Sequence, residues 1–377
     1  MTVEILAVTD KATMKRFIKV PFLVHKDDKN FIPPLVSERE EAFDPARNEL
    51  VRRSTVRFWI ARKNGRDVGR ISAQIDPLAQ KDGEPPYGQF GALSALDDPE
   101  VFAALFETAE EFLRSQGIRR VQGPFTLSIN EETGLLIDGF DTPPMMMMGH
   151  DPVYEAAHIE AAGYSPDGDV FAYLIDLDAP LSKSADNMLN RPLASSITMR
   201  RLNFKDYDAE IGRVASIFND AWSENTGFVP MTDTETDELA TRLKLLLDDR
   251  LVWFADMNGE SVAFIVCLPN INEAIRDLNG NLFPFGVLKL LWRLKVKGLK
   301  SARVPLMGVR KSLAGTVLGS ALPLQLIGAL WPHARKVGFR WVELSWILEN
   351  NRPMRSILER LGAKSYKTYR IYQKTLG

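Results

Sequence analysis

Cysteine is all but absent. The single Cys267 excludes an internal disulfide and fits a reducing compartment. Histidine is scarce, with four in 377 residues, and no Cys/His cluster stands at metal-ligand spacing, so no metal is expected. No segment approaches the roughly 18 consecutive apolar residues of a membrane span. The N-terminal MTVEILAVTDKATMKRF carries acidic residues and no apolar stretch of signal-peptide length. These absences lead to the expectation of a cytoplasmic protein. The most informative gap is in acid. Between Asp277 and Glu343 there is no carboxylate side chain, while the same 65 residues carry eleven lysines and arginines. That is +11 in one window of a chain whose formal net charge is −2. Such a field attracts an anion, a nucleotide phosphate or an anionic lipid surface, unless it is only a solvated basic face. No nucleic-acid-binding motif accompanies it and the whole chain is acidic, so nucleic acid is not an expected partner.

What is present is an ordinary globular composition, 45% apolar and 25% charged, in a chain long enough for two domains. The chain also repeats itself. FWIARKNGRDVGRI (58–71) and VWFADMNGESVAFI (252–265) share W-x-A-x-x-N-G-x-x-V-x-x-I at an offset of 194. Each sets alternating apolar runs on either side of Asn-Gly, a strong hairpin signal. NFIPP (30–34) answers GFVPM (227–231), and RSQGIRRVQGPFTLSIN (114–130) answers RKVGFRWVELSWILENN (335–351). Three ordered anchors with growing offsets imply two copies of one unit, with insertions in the second.

Each copy reads as strand, helix, two-strand hairpin, strand, helix, strand and a variable close. Asp98, Pro99 and Gly117 bracket a helix over 99–116. The small, polar, Pro-bearing stretch 176–196 reads as a linker. This gives an α/β (mixed α+β) chain with domains at 1–175 and 197–377, each a mixed, twisted sheet flanked by helices.

The closing segment WILENNRPMRSILERLGAKSYKTYRIYQK (346–374) sets an apolar strand before an Asn pair, then a helix ending in Leu-Gly-Ala, then a tyrosine-rich strand. It resembles the end of the GNAT superfamily of acyl-CoA N-acyltransferases, and nearly the whole chain fits two such units in tandem. The resemblance implies acyl-CoA as cosubstrate, with its pyrophosphate on backbone N–H groups where a glycine loop opens a helix. A helix N-terminus offers unpaired donors and partial positive charge there. The matching stretch is MGVRKSLAGTVLGSAL (307–322), which nominates Gly308, Val309, Arg310, Lys311, Ser312, Ala314, Gly315, Thr316 and Gly319, with Asn351 eleven residues before Gly362. Its glycines stand four apart where the family pattern has two, and Gly-x-x-x-Gly also marks close helix packing. The equivalent helix start in the first copy carries Asp97 and Asp98, which repel a phosphate. The second domain is therefore the expected CoA-binding, catalytic one, and the first an acceptor or acyl site.

Transfer to an amine needs a proton donor for the leaving thiolate and a sink for the amine's proton. The superfamily often places a tyrosine four residues before the glycine, where this chain has Leu358. Tyr366 and Tyr369 are the alternative donors, each otherwise a packed strand tyrosine. Glu343, which ends the acid-free window, is the candidate base or a paired structural carboxylate. His150, His333 and the terminal carboxylate of Gly377 are further options, and water-mediated deprotonation needs none of them.

The insertion LFPFGVLKLLWRLKVKGLK (282–300) has Lys289, Arg293 and Lys297 at i+4 steps if helical, beside an apolar remainder. It reads as a basic amphipathic helix for an anionic membrane surface through 284–300, or as a helix packed on a neighbour. The Met145–Met148 run reads as an acyl-chain lining or a buried strand. Together these features resemble the bacterial N-acyltransferase group that includes bacterial ceramide synthases. That resemblance implies a fatty acyl group passed to a long-chain amine, with acyl-CoA or an acyl carrier protein as donor, no permanently bound cofactor, and peripheral attachment to the inner membrane face. A soluble acetyltransferase for a small amine or aminoacyl substrate and a non-catalytic binding module are the alternatives.

Overall fold

The computed structural model describes residues 2–377 except 82, 191, 193, 225 and 226. The first copy runs β1 (Glu4–Ala7), α1 (Lys11–Val24), α2 (Val36–Ala42), α3 (Glu49–Arg53), β2 (Thr55–Lys63), β3 (Arg66–Ile75), β4 (Tyr87–Ala95), α4 (Pro99–Ser115) and β5 (Arg120–Gly123). Its close comprises β6 (Phe125–Thr126), β7 (Glu132–Thr133), β8 (Leu135–Asp138), α5 (Glu155–Ala161), β9 (Ser165–Asp176) and α6 (Lys183–Leu189). The second copy begins β10 (Ile197–Arg201), α7 (Tyr207–Trp222), α8 (Asp233–Leu243), β11 (Val252–Met257), β12 (Glu260–Pro269), α9 (Ile271–Ile275) and α10 (Gly286–Trp292). It continues β13 (Ser301–Val309), α11 (Val317–Val337), β14 (Trp341–Leu348), α12 (Arg352–Arg360) and β15 (Lys364–Thr375).

The repeat read from sequence is structural. Asn64-Gly65 and Asn258-Gly259 turn the two hairpins, all four residues at positive φ as a tight hairpin turn demands. The pairing slips by one residue between Ala61 and Arg62 in β2, and between Ala255 and Asp256 in β11. Those positions are 194 apart, so the duplication preserved even the bulge. The predicted helix at 99–116 forms as α4, with the Asp98 side chain accepting the Glu100 N–H.

Two compact units result. One runs up to Val170 and adds Ile275–Leu290 and Lys367–Gly377; the other holds Phe171–Ala274 and Leu291–Tyr366. This departs from the division at 175 and 197 read from sequence. In the first unit β15 pairs antiparallel with β5, Tyr372 opposite Gly123, and Tyr372 and Leu376 join the core around Phe90, Phe102 and Phe106. In the second, β14 is flanked by β9; the Leu177 N–H donates to the Arg340 carbonyl and Arg340 pairs with Asp176. Each unit is thus closed by a strand from the other sequence copy. The physical need is the same in both: the edge beyond β5 or β14 presents unpaired backbone groups until another strand covers it. The stretch read as a plain linker contains α6, capped by Ser182.

Candidate active site

In the second unit β13 and β14 run parallel, paired from Ser301–Trp341 to Val304–Leu344. Beyond that rung β13 follows β12 as far as Val309, and β14 runs on to Leu348. The pair therefore makes a fork. Strand alternation divides the residues at its base. Val304, Val342 and Leu344 face α11, where with Leu330 and Trp331 they surround a small apolar void of about 20 Å³. Arg303, Glu343 and Ser345 take the other face, and there they meet.

Glu343 and Arg303 are fully buried, with Arg303 Nε 3.2 Å from Glu343 Oε1. The Ser345 hydroxyl donates to that same oxygen at 2.6 Å and accepts from Arg303 Nε at 2.8 Å. The Tyr366 hydroxyl donates to Glu343 Oε2. The Arg303 guanidinium lies over the Trp346 ring, 4.5 Å from its centroid. A buried carboxylate is costly unless compensated, and here one cation and two hydroxyls compensate it. Of the two tyrosines proposed from sequence, only Tyr366 joins Glu343. Tyr369 packs in the first unit, fully buried, its hydroxyl donating to the Gly149 carbonyl. Three positions apart on β15, the two tyrosines fall on opposite faces by strand alternation. Arg303 and Ser345 were not singled out in the sequence, although a lone arginine inside the apolar strand SARVPLMGV was the available signal.

The glycine loop follows β13 directly. Lys311–Leu313 form a 3₁₀ turn, Gly315 adopts φ +72°, and Thr316 caps α11 by accepting the Gly319 N–H at 2.9 Å. A Cβ on Gly319 would lie 2.0 Å from the Leu313 carbonyl oxygen. The four-residue spacing thus has a cause: Gly315 supplies the left-handed turn and Gly319 the close approach. Gly308 is also tight, a Cβ there falling 3.0 Å from the Phe264 ring. Val309, Ser312 and Ala314 complete the loop. Arg310 and Lys311, nominated to stand at the phosphate's entrance, are engaged elsewhere. Arg310 donates to the Ser261 carbonyl and to Ser216 Oγ; Lys311 pairs with Glu224, and its N–H donates to the Asp220 carboxylate at 2.7 Å. Much of the basic window is neutralised in this way by carboxylates distant in sequence or at its borders, among them Asp176, Asp277 and Glu343. Asn351 is an exposed helix cap, its side chain accepting the Met354 N–H. Leu358, in the place of the missing tyrosine, is a fully buried core residue lining the apolar void. His333 packs on Trp253.

The first unit has the matching parallel pair, β4 and β5, but its fork is filled by its own chain. After Gln89–Gln122 the strand continues through Gly123 to Phe125, whose carbonyl oxygen would lie 1.5 Å from a Cβ on Gly91. Gln74 Nε2 also donates to that carbonyl. Asp98 and Glu100 at the start of α4 are held by Lys63. Met145–Met148 form a turn, not a strand, with Met145, Met146 and Met148 buried. Buried charges gather in the same unit: burial pushes Asp151 up to about 7, raises Glu155 well above the usual carboxylate range and lowers Arg70, which acts on both, to about 9. His25, Asp28 and His150 also converge, although nothing in their spacing announced it. Burial, with neighbouring His150 adding to it, lowers His25 to about 4.

Solved structures share this fold. A tandem GNAT protein from the clavulanic acid biosynthesis pathway superposes with a TM-score of 0.58 at 15% identity, covering 100% of this chain and 99% of that one. A GCN5-related N-acetyltransferase from Sphaerobacter thermophilus gives 0.54 at 14% identity over 99% and 95%. No family model matches the chain. Sequence relatives are much nearer. The bacterial ceramide synthase of Caulobacter vibrioides is 47% identical over 374 residues, 99% of this chain and 97% of that protein. The chain belongs to the bacterial ceramide synthase family. Protein YghO of Escherichia coli K12 is 45% identical over 372 residues, 97% of this chain and 94% of that relative. At such identity and coverage the tandem GNAT architecture is shared along the whole length of the family member described here.

Proposed function

We propose that this protein is an acyl-CoA-dependent N-acyltransferase that passes a fatty acyl group to the primary amine of a long-chain, lipid-like acceptor. The observation that carries the reading is the fork between β13 and β14, with Glu343, Tyr366, Ser345 and Arg303 at its base and a glycine loop opening α11 at its end. The pantetheine arm enters the fork and the pyrophosphate rests on the N-terminal N–H groups of α11. The Arg310 and Lys311 side chains turn to it from partly exposed contacts that are cheap to exchange. The neutral amine attacks the thioester carbonyl, the C–S bond breaks, and Tyr366 gives its proton to the departing thiolate. The tyrosinate is then reprotonated by the ammonium of the new amide nitrogen, so the products are amide and free thiol. Glu343 fixes the phenol's direction, and Arg303 and Ser345 fix Glu343.

The segment after Phe283 supports an acceptor drawn from a membrane surface. Phe285, Leu288, Trp292 and Val296 are exposed, and Lys295 and Lys297 stand among them. The helix is interrupted, α10 passing into a π turn at Arg293–Lys297, so the i+4 stripe read from sequence is irregular. Exposed aromatic and basic residues together suit the interface of an anionic membrane. No helix among the described residues is long and apolar enough to cross a membrane.

The test is product analysis by mass spectrometry with purified protein, a long-chain base, and palmitoyl-CoA, acetyl-CoA or palmitoyl-loaded acyl carrier protein. A long-chain amide formed from palmitoyl-CoA is the expected result. Exclusive use of acetyl-CoA on small amines would overturn the acceptor assignment, and transfer only from the carrier protein would overturn the donor.

A further inference from the structure

We propose that His25, Asp28 and His150 bind a divalent transition-metal ion, zinc being the occupant that their chemistry suits best. One ligand atom from each lies within 4.8 Å of the others. His150 Nε2 is 2.7 Å from Asp28 Oδ2, and His25 Nδ1 is 3.8 Å from the same oxygen. Tetrahedral ligands about 2.0–2.1 Å from zinc stand roughly 3.3 Å apart, so these separations bracket the required edge. The third edge, between the two imidazoles, is at most 4.8 Å.

Three further observations distinguish this cluster from an ordinary buried hydrogen-bonded pair. Both imidazoles are more than nine-tenths buried, and His25 is held flat on Phe31, ring centroids 4.4 Å apart and planes at 6°. The positions of the donors are therefore set before any ion arrives. His150 directs Nε2 at Asp28 and keeps its second nitrogen, Nδ1, buried without a hydrogen-bond partner, so no other hydrogen bond competes for the ring's orientation. Asp28 is anchored through Oδ1, which accepts the Asn30 N–H at 2.8 Å, while Oδ2 turns to the rings. Its side chain is one-third exposed, which leaves an approach from solvent and a fourth position for water.

The donor set also argues for the class of ion. Two imidazoles and one carboxylate select zinc or its first-row neighbours over calcium or magnesium, which require mostly oxygen ligands. Arg70 and Lys367 act on His25 and His150 respectively, and their positive charge opposes any cation, so the nitrogen donors must carry the affinity. The ligands come from HKDDKNFIPP and PPMMMMGHDP, two stretches more than a hundred residues apart. The second is a turn held by few regular hydrogen bonds, where Asn30 donates to the Phe140 carbonyl and Lys367 Nζ to those of Gly139 and Thr142. A metal would clip these segments together within the first unit.

Untagged full-length protein, stripped with chelator and dialysed, should take up one zinc per chain in calorimetry with zinc chloride and retain it by elemental analysis. Zinc should also raise the thermal unfolding temperature. Asp28→Asn, nearly isosteric and partly exposed, and His25→Ala should each weaken zinc binding by roughly tenfold or more, with unchanged circular dichroism. His150→Ala should abolish it. Absence of stoichiometric zinc in the wild type, or equal affinity in wild type and Asp28→Asn, would overturn the proposal whatever the fate of the alanine variants.

Discussion

Replacing Glu343 with glutamine keeps the side chain's shape and removes its charge, so it isolates the ion pair at the base of the fork. Arg303 has no exposed side-chain surface and would be left beside a neutral amide. Breaking a buried pair on one side costs about 3–5 kcal/mol. The amide also presents an NH₂ where Glu343 now accepts, so either the Ser345 or the Tyr366 hydroxyl must turn away. Equilibrium denaturation of Glu343→Gln, Arg303→Met and the double variant measures this directly. Each single change should lower stability by about 3–5 kcal/mol, and the double by much less than their sum, because it leaves no uncompensated charge. Thiol release from acyl-CoA supplies the second readout. Glu343→Gln and Tyr366→Phe should each lower kcat by roughly a hundredfold or more with little change in KM for acyl-CoA. The reasoning is refuted if Glu343→Gln is within about 1 kcal/mol of wild type, if the single effects simply add, or if Tyr366→Phe turns over normally.

Three other expectations follow from the same geometry. Gly319→Ala drives a Cβ onto the Leu313 carbonyl oxygen, so it should weaken CoA binding in calorimetry by roughly tenfold or more; Gly315→Ala, which meets no atom within 4 Å, should cost only about 1–2 kcal/mol of backbone strain. Burial lifts Asp151 from 3.8 to about 7, so the stability it contributes is complete below the lower value and is lost as pH rises through the upper one. Wild type should therefore lose stability between about pH 4 and 7 in denaturant titrations, and Asp151→Asn should flatten that slope. Phe285→Glu with Trp292→Glu should reduce sedimentation with anionic vesicles by roughly tenfold, while neutral vesicles bind both forms weakly.

The features legible in the sequence are those written in local chemistry. Asn64-Gly65 and Asn258-Gly259 give hairpins because few other residue pairs tolerate two positive φ angles in succession. Asp98-Pro99 starts a helix for reasons contained in three residues. The fork's chemistry was half legible: Glu343 stands out because it ends a carboxylate-free run, and Tyr366 because tyrosines crowd β15. Tyr366 and Tyr369 stand three positions apart on β15, so alternation sets them on opposite faces, and which face meets Glu343 is decided by the pairing of β15 and its passage from one unit to the other, which leave no mark in composition. The same strand exchange defeated the boundary at 175, since a closing strand is chosen by which sheet edge is open, not by which copy encodes it. Arg310 and Lys311 show a third kind of failure. Counting charges along the chain gives a field, but the fold sets Glu224 on the Lys311 ammonium, Asp220 on its backbone N–H, and Ser216 with the Ser261 carbonyl on Arg310, so the field an arriving phosphate meets is set in space. His25 and His150 mark the limit of this reading. Each is a lone histidine in sequence, and no periodicity links positions 125 apart; only the fold brings Asp28 between them. A search for metal-ligand spacing therefore finds sites built within one loop or helix and overlooks those built across a unit.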